Sequence, residues 1–452
     1  MTATITFYGG TGTVTGTNFL LDIGDKRILV DCGAFEREHM CDPANIAPFA
    51  YDPRSIDALV VTHAHQDHIG RIPRLVKAGF RGPIFSTAAT KDLSAVMLDD
   101  ALSIIRDEAE RNRCEILYDE HDLQQTMQQW QGHGYHEPFQ LGSVSVEFLD
   151  AGHVLGSAVV RIIRQDRTIL FTGDIGNVPE PLLRPTESAT GAHYIVMESV
   201  YGDRVHEGRE QRLAQLRGAI EGARQRKGTL LIPSFSLERT QVLLYELNRM
   251  VEDGSMEPLS IYLDAPLAIR VTEVFRRYFD YMNTEVLKRS GEGDDPFVFP
   301  GLSVVHDTRQ SYAIHAAPDP KVIIAGAGMS AGGRIRAHEK QYLPDKKAGV
   351  LFVGYQAPGS LGRRIQDGAK AVDIDGDKVR VHAHIDTLTG YSGHADRDQL
   401  MDFVESAGDS LERVFVTMGE PKASNFLAQR LRDFMDVNAV VPDAGATFTI
   451  EL

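Results

Sequence analysis

The sequence predicts a mixed α/β protein in which parallel strands are flanked by helices. Short apolar segments alternate with amphipathic segments of helical length through most of the 452 residues. This alternation is typical of parallel sheets that are covered by helices on both faces. Several of the apolar segments end in polar or glycine-rich loops, which is where such sheets gather their ligands. The length suggests two or three domains with large cores.

The first elements of the chain are predicted to be strands joined by short turns. Thr4–Tyr8 leads into a glycine-rich turn at 9–12. No Lys-Ser or Lys-Thr pair follows these glycines, so the turn is not a phosphate-binding P-loop. Asn18–Asp22 and Arg27–Asp31 are separated by a Gly-Asp turn, which is typical of a β-hairpin. The N-terminal region is therefore expected to begin a sheet.

Strands and helices continue to alternate along the rest of the chain. Apolar residues at helical spacing predict helices over 72–78, 88–113, 119–130 and 210–226. Short apolar runs predict strands over 83–87, 146–149, 158–163, 168–171, 194–198, 228–232, 260–266 with its loop, 321–325, 349–353 and 411–417. In the helix at 88–113 the apolar positions are Leu93, Val96, Met97, Ile104 and Ile105. Asp396 is expected in the first turn of a further helix.

Bulk composition excludes several classes of protein. Hydrophobic residues make up 42% and charged residues 24%, which is ordinary for a globular protein. No apolar run is long enough to span a bilayer, and the N-terminus lacks a signal pattern. The net charge of −16 argues against broad non-specific nucleic-acid binding, although a local basic channel stays open. Three cysteines do not make a disulfide framework, so we expect a reducing, cytoplasmic setting.

A predicted buried strand ends in a cluster of metal-ligand side chains. The apolar run Ala58–Val61 is followed by His63, His65, Asp67 and His68. Imidazole and carboxylate groups suit zinc and its first-row neighbours. Alternation places His63 and His65 on the same side of the chain, and the turn that follows lets the other two reach a second point. The segment predicts a loop that serves two metal ions about 3.5–4 Å apart. The alternative interpretation is that these four polar residues simply lie on a surface turn and bind no metal.

Two later strand exits carry further candidate ligands. His153 follows an apolar-alternating stretch that begins at Val144. Asp174 ends the strand-like segment 168–171 in a Thr-Gly-Asp sequence, where a carboxylate could bridge two metals. Either residue alone is more often structural. In this order after the histidine loop, they predict the remainder of a metal site.

These positions resemble the metal motifs of the metallo-β-lactamase superfamily. Six residues fall on its successive ligand positions: His63, His65, Asp67, His68, His153 and Asp174. Asp31 falls on its first motif, where an aspartate usually supports the histidine loop and does not bind metal. The resemblance implies an αββα sandwich and two Zn²⁺ ions per chain.

The rest of the chain resembles the β-CASP branch of that superfamily, in which a second α/β domain with a parallel sheet is inserted. The sequences PSFSLERTQ at 233–241 and GMSAGGR at 328–334 resemble the inserted domain's pattern. We expect the metallo-β-lactamase domain in 1–205 and 387–452, and the β-CASP domain in 206–386. The branch includes the endonuclease subunit that makes pre-mRNA 3′ ends and RNase J. The match is closest to compact bacterial and archaeal relatives.

The resemblance implies a zinc-dependent ribonuclease, acting as an endonuclease, an exonuclease or both. A zinc-activated hydroxide would hydrolyse RNA phosphodiester bonds in the cleft between the two domains. Asp67 would orient the hydroxide in addition to binding metal. His394, on the branch's second additional motif, would protonate the leaving oxygen. Glu198, on the first, would hold the ring of His394.

Substrate and partners are implied in the same way. Single-stranded RNA is the expected partner, a membrane is not, and a homodimer is compatible with the resemblance. Backbone contacts with the RNA are expected from residues in the loops and helix starts of the inserted domain: Ser234, Arg239, Ser330 and Arg334.

One position departs from the family's pattern. Active members usually have His-Gly-Glu at the third additional motif, and that histidine binds the second metal. Here the segment is Met418-Gly419-Glu420. A thioether is a poor zinc ligand beside imidazole and carboxylate. The second site is therefore expected to be weakened or to use Mn²⁺.

Two other functions stay open. A metallo-hydrolase of small esters or thioesters would use the same ligands, but it needs no inserted domain. A weakly active or inactive RNA-binding subunit is the third hypothesis, and Met418 is its only sequence support. Because six of the seven expected ligands are present, the sequence favours the ribonuclease.

Overall fold

The chain consists of two compact units, each with its own sheets and helices. The computed structural model describes residues 2–35, 40–206, 208, 211–388 and 390–452. One unit is formed by Met1–Val205 with His394–Leu452, and the other by His206–Gly393. The first change of unit follows residue 205, and the second follows residue 393. Residue 210, where a helix was expected to begin, lies outside the described residues.

The first part of the first unit is rich in strands. Its strands are β1 (Thr2–Gly9), β2 (Asn18–Asp22), β3 (Arg27–Val30), β4 (Ala58–Val60), β5 (Ile84–Thr87), β6 (Trp130–His133), β7 (Phe139–Leu141), β8 (Val144–Asp150), β9 (Ala158–Arg164), β10 (Arg167–Phe171) and β11 (Tyr194–Met197). Its helices are α1 (Pro43–Ile46), α2 (Gln66–Ile69), α3 (Ile72–Lys77), α4 (Ala88–Asn112) and α5 (Glu120–Gln129). The expected hairpin is present, because β2 and β3 pair antiparallel.

The second unit follows a regular alternation. Its helices are α6 (Arg212–Arg226), α7 (Arg239–Glu252), α8 (Pro266–Arg277), α9 (Thr284–Gly291), α10 (Thr308–Ala313), α11 (Ile335–Tyr342) and α12 (Leu361–Gln366). Its strands are β12 (Thr229–Pro233), β13 (Ser260–Asp264), β14 (Leu302–Val304), β15 (Lys321–Ala325), β16 (Gly349–Phe352), β17 (Ala371–Ile374), β18 (Asp377–Arg380) and β19 (His384–Thr387). The boundary expected at 386/387 falls inside β19, which pairs with β16 in this unit's sheet.

The main sheet of the second unit is parallel throughout, as the alternation of strands and helices predicts. Its order is β14-β13-β15-β12-β16-β19. Each neighbouring pair runs parallel, so the carboxyl ends of all these strands lie at one edge. The chain then returns to the first unit with α13 (Arg397–Glu405), β20 (Arg413–Val416), α14 (Pro421–Met435), β21 (Ala439–Val440) and β22 (Thr447–Glu451).

The first unit is a sandwich of two sheets. The orders are β22-β1-β2-β3-β4-β5-β6 and β21-β20-β11-β10-β9-β8-β7. One apolar core contains side chains from both sheets, among them Phe7, Phe19, Phe148 and Phe171. Alternation along each strand sends the neighbouring residues to the outer faces. Leu149 accordingly packs with residues of α13 and α14 in a separate cluster, and α4 packs against β5 and β6. Helices therefore cover both outer faces, which confirms the αββα class.

The structure contains one disulfide that the cysteine count did not predict. Cys41 and Cys114 are joined by a disulfide across 73 positions of sequence, and Cys32 is a buried free cysteine. Spacing gives no information on spatial proximity, so the sequence could not show that the residues after α4 return to the segment before α1. Within the described part of the chain, no helix combines the length and apolarity that crossing a bilayer needs.

A buried acid in the second unit makes stability dependent on pH. Glu339, in α11, is fully buried, and Ser330 Oγ donates to its Oε1 at 2.5 Å. Burial raises the pKa of Glu339 to about 8 from 4.5, against the opposing effects of Ser330 and Arg336. Between these two pH values the folded chain binds a proton that the unfolded chain has lost. The free energy of unfolding should therefore fall as pH rises from about 4.5 to about 8, by roughly 4–5 kcal/mol at most.

We expect Glu339→Gln to remove this slope, since the amide keeps the shape and stays neutral. Thermal unfolding midpoints of the two proteins should diverge between pH 5 and pH 8, with the variant the more stable at pH 8. The exposed Glu405→Gln change serves as the control. Midpoints that stay parallel over this pH range would show that Glu339 is ionised in the folded state.

Candidate metal centre

The candidate ligands lie in loops that directly follow strands of the first unit. His63 follows β4, His153 follows β8, and Asp174 follows β10. Asp67 and His68 lie in the short helix α2, whose N-cap residue is His65. Strand β4 belongs to one sheet of the sandwich, while β8 and β10 belong to the other. The loops from the two sheets meet, and they bring all six predicted ligands together.

Four donor atoms form one group with the dimensions of a zinc site. His65 Nδ1 lies 3.1 Å from His63 Nε2 and 3.2 Å from His153 Nε2. Asp174 Oδ2 lies 3.4 Å from both of those Nε2 atoms. A tetrahedral zinc ion with bonds of about 2.0–2.1 Å places its ligand atoms roughly 3.3–3.4 Å apart. The residues present therefore fit one tetrahedral ion.

A second group shares Asp174 with the first. His68 Nε2 lies 3.4 Å from Asp174 Oδ1 and 3.8 Å from Asp67 Oδ2. His68 Nε2 is buried and has no hydrogen-bond partner among the described residues. Such an orphaned nitrogen, aimed at two carboxylates, fits a metal ligand. Asp174 offers one oxygen to each group, so it has the arrangement of a bridging carboxylate.

The pKa shifts favour the ligand forms of His65, His153 and Asp174, but they favour the protonated forms of His68 and Asp67. Burial holds the pKa of His65 and of His153 well below the usual range, so both imidazoles are neutral. Burial alone would raise the pKa of Asp174, but His68 and His63 hold it well below its usual range. Burial would lower the pKa of His68, but Asp174, Asp31 and Asp67 raise it well above the usual range. Burial raises the pKa of Asp67.

Asp31 supports the histidine loop from behind. Its carboxylate is fully buried, and Oδ1 accepts from the backbone N–H of Thr62 at 2.8 Å. Oδ2 accepts from Thr62 Oγ1 at 2.8 Å and lies 2.7 Å from His68 Nδ1. A carboxylate can only accept here, so it keeps a proton on Nδ1 of His68, and Nε2 faces the carboxylates of Asp67 and Asp174. This arrangement agrees with a supporting role.

Thr62 was not among the residues singled out in the sequence. Its hydroxyl lies 3.1 Å from His63 Nδ1 and 3.3 Å from His68 Nδ1, in addition to its bond to Asp31. It therefore orients two ligand rings from the side away from the donor groups. The available signal was a hydroxyl directly after the apolar run and directly before His63, which is an unusual place for a fully buried polar side chain.

Replacing Asp31 by alanine should weaken metal binding about 10- to 100-fold. The variant loses the group that fixes the ring and tautomer of His68, while every ligand stays in the chain. Competition with a fluorescent chelator would measure the affinity. Asp22→Asn, which changes a half-buried residue at the end of β2, serves as the control. An unchanged affinity in Asp31→Ala would contradict the supporting role.

Glu198 and His394 lie beside the donor groups. Glu198 is fully buried at the exit of β11, and its carboxylate lies 3.3 Å from His394 Nδ1. Glu198 Oε1 also accepts from the backbone N–H of Ile175, next to Asp174, at 2.6 Å. Burial would lower the pKa of His394, but Glu198 raises it to about 9. Burial raises the pKa of Glu198. At neutral pH the ring of His394 is therefore a positively charged imidazolium.

Met418 lies in the core. It follows β20, is 1% exposed and belongs to the apolar cluster that contains Phe7 and Phe415. Its backbone N–H donates to Gly10 O at 2.6 Å. Apolar neighbours suit a thioether far better than an imidazole. Among the described residues, the second donor group consists of Asp67, His68 and Asp174.

The four expected RNA contacts all have partners inside the second unit. Ser234 and Ser330 are buried, and their hydroxyls bond to Thr240 and Glu339. The guanidinium of Arg334 pairs with Asp264 at 2.5 Å, and that of Arg239 lies 5.4 Å from the ring centroid of Tyr391. Their contact with RNA stays a prediction.

Three family models match the chain. One described as the Beta-Casp domain matches residues 240–365. One described as a Zn-dependent metallo-hydrolase RNA specificity domain matches residues 378–442. One described as the anti-Pycsar protein Apyc1 matches residues 6–217. Together these matches extend over both units.

Relatives of known name match over most of the chain. Ribonuclease TTHA0252 of Thermus thermophilus is 37% identical over 418 residues, which cover 91% of this chain and 92% of the relative. The transcription termination factor FttA of Methanosarcina mazei is 30% identical over 443 residues, which cover 94% of this chain and 68% of the relative. A solved structure of a protein of unknown function from Enterococcus faecalis is similar over 100% of both chains, with a TM-score of 0.61 and 13% identity. That likeness shows the fold alone.

Proposed function

The chain belongs to the β-CASP nucleases of the metallo-β-lactamase superfamily, and on that premise we propose that it is a zinc-dependent ribonuclease that hydrolyses phosphodiester bonds of single-stranded RNA. The observation that carries the proposal is the arrangement of Asp174. Its two oxygens face two donor groups, one of which has the spacing of a tetrahedral zinc site. The named relatives, a ribonuclease and a termination factor, support RNA as the substrate.

Both donor groups suit first-row divalent metals. His63, His65, His153 and Asp174 would hold one ion, and Asp67, His68 and Asp174 the other. When bound, zinc supplies Lewis acidity toward the phosphate and lowers the pKa of water toward neutrality. Since the second group has three protein donors, we propose that it binds its ion more weakly, or binds Mn²⁺ in place of zinc.

The protein's own residues supply orientation and a proton. Asp67 presents a carboxylate oxygen beside His68, where it can accept a hydrogen bond from the attacking water and so orient it. The imidazolium of His394 is 26% exposed, in contrast to the buried His63, His68, His153 and Asp174, and it would protonate the leaving ribose oxygen. Glu198 holds the ring through Nδ1 and stabilises its charged form.

Metal content and RNA cleavage, measured on one preparation, test the proposal. Protein purified without added metal should contain two metal ions per chain by elemental analysis. It should cleave a labelled single-stranded RNA, and a chelator should abolish the cleavage. During chelator titration one ion should leave first, because its group has one fewer protein donor, and zinc should restore activity.

Two contrary results would each favour a specific alternative. Fewer than two metals, with no cleavage after zinc or manganese is restored but with retained RNA binding, would favour a non-catalytic binding subunit. The position of Met418 in the apolar core is the observation that favours the non-catalytic binding subunit. Hydrolysis of thioesters without hydrolysis of RNA would favour the small-ester hydrolase.

A further inference from the structure

Three neighbouring strands of the second unit end beside one another. Strand β12 lies between β15 and β16, and all three are parallel. The loops that follow them therefore meet at one edge of the sheet. The loop after β12 begins with Ser234 and Phe235, whereas the loops after β15 and β16 contain Gly328 and Gly354.

One edge of the Phe235 ring packs against both of these glycine loops, in a slot that the two loops form. A Cβ added at Gly328 would lie 2.7 Å from Phe235 Cδ2, and one added at Gly354 would lie 3.0 Å from Phe235 Cε2. A side chain at Gly328 would force the ring to move, and a side chain at Gly354 would make a tight contact that displaces the ring by a few tenths of an ångström. The slot therefore exists because both flanking residues lack a side chain.

The slot is held in place by hydrogen bonds. Gln356 Nε2 donates to Gly328 O at 2.9 Å and to Gly354 O at 3.2 Å, so one buried amide ties the two flanking loops together. Thr240 Oγ1 donates to Phe235 O at 2.7 Å, and the backbone N–H of Ser234 donates to Ala325 O at 3.0 Å. These hydrogen bonds fix the backbone of Ser234 and Phe235.

One edge of the Phe235 ring is packed, but part of the side chain is exposed to solvent. The residue is 37% exposed, and Tyr355, directly after Gly354, is 59% exposed. A large apolar ring that points to solvent gains little for stability, yet this one is held by two glycines and a buried glutamine. A ring fixed before binding loses little conformational entropy when a flat partner lies on it. Nucleobases stack on aromatic side chains in this way irrespective of sequence.

We propose that Phe235 is a base-stacking residue for single-stranded RNA, which makes it a determinant of substrate binding at the sheet edge of the second unit. The inference rests on the proposed function, because it presumes that the substrate carries bases. Nucleobase stacking also agrees with the net charge of −16, since stacking does not require a strongly basic surface.

Binding of a phosphorothioate single-stranded RNA, which resists hydrolysis, tests the role by fluorescence anisotropy on the metal-loaded protein. Phe235→Ala and Phe235→Leu should both weaken binding roughly 5- to 150-fold, the range for loss of one stacked base. Phe235→Tyr should bind as the wild type does. A matched control is Phe434→Ala, which removes a 67% exposed aromatic ring from α14. An oligomer with the same charge but without bases should bind the wild type and Phe235→Ala equally.

The outcomes separate this inference from the proposed function. Weak binding by the Leu variant together with normal binding by the Tyr variant supports stacking, because only the ring distinguishes them. Wild-type binding by Phe235→Leu would overturn the inference, even where RNA cleavage is normal. Absence of RNA cleavage by the wild type would instead overturn the proposed function, and the anisotropy comparison would still decide the role of Phe235.

Discussion

Replacing Asp174 by alanine should release the ion of the second group, weaken binding of the first ion and lower RNA cleavage at least about 1,000-fold. The residue offers Oδ2 to the group of His63 and His153 and Oδ1 to the group of His68. Without it the first group keeps three imidazoles, but the second keeps only two donors. No other single substitution removes a donor from both groups.

Elemental analysis and a cleavage assay on the same preparation would measure the effect. Asp122→Asn is the control, because Asp122 is another buried carboxylate of the first unit but lies in the first turn of α5. The control should keep two ions. An Asp174→Ala protein that still held two ions would show that the two groups are independent sites.

Replacing His394 by alanine should lower turnover about 100- to 10,000-fold while both metals stay bound. The donor groups assigned to the metals are complete without His394, so its loss should remove only a proton donor. Because 4-nitrophenolate leaves without protonation, hydrolysis of bis(4-nitrophenyl) phosphate should be affected far less than hydrolysis of RNA.

Glu198→Gln is the matched variant for this experiment. It keeps a side chain of the same shape beside His394 Nδ1 but removes the charge that raises the pKa of the ring. It should show a smaller loss on RNA and, like His394→Ala, little loss on the activated diester. If His394→Ala lost metal, or lost both activities equally, His394 would be acting as a ligand and not as an acid.

The candidate site could be predicted because its residues follow buried strands directly. His63, His153 and Asp174 each stand within three residues of the end of a strand, and the loops that follow these strands meet although β4 lies in one sheet and β8 and β10 lie in the other. The short apolar run before His63 was sufficient to predict where the histidine loop lies. The supporting hydroxyl of Thr62 was missed because one polar residue after an apolar run is a weak signal, and its contacts with Asp31, His63 and His68 are visible only in the structure.

Features that depend on distant contacts could not be predicted. The periodicity of α4 placed both Ile104 and Ile105 on its apolar positions, but Ile104 is 47% exposed, since adjacent residues on a helix cannot face the same neighbour. The pairing of β1 with β22 joins residues more than 400 positions apart. The slot around Phe235 needs three loops, at Phe235, Gly328 and Gly354, and only the order of the parallel sheet brings them together.

The interrupted first unit has a consequence for synthesis. Strand β1 pairs with β22, and β20 lies beside β11 in the opposing sheet, so the ribosome must deliver the last strands before either sheet is complete. At about 5–20 residues per second, the N-terminal strands would wait roughly 20–80 s. The second unit is contiguous, so it can fold during that interval. The nascent chain is thus expected to carry a finished insertion inside an open sandwich, and this is the stage at which it most needs a chaperone.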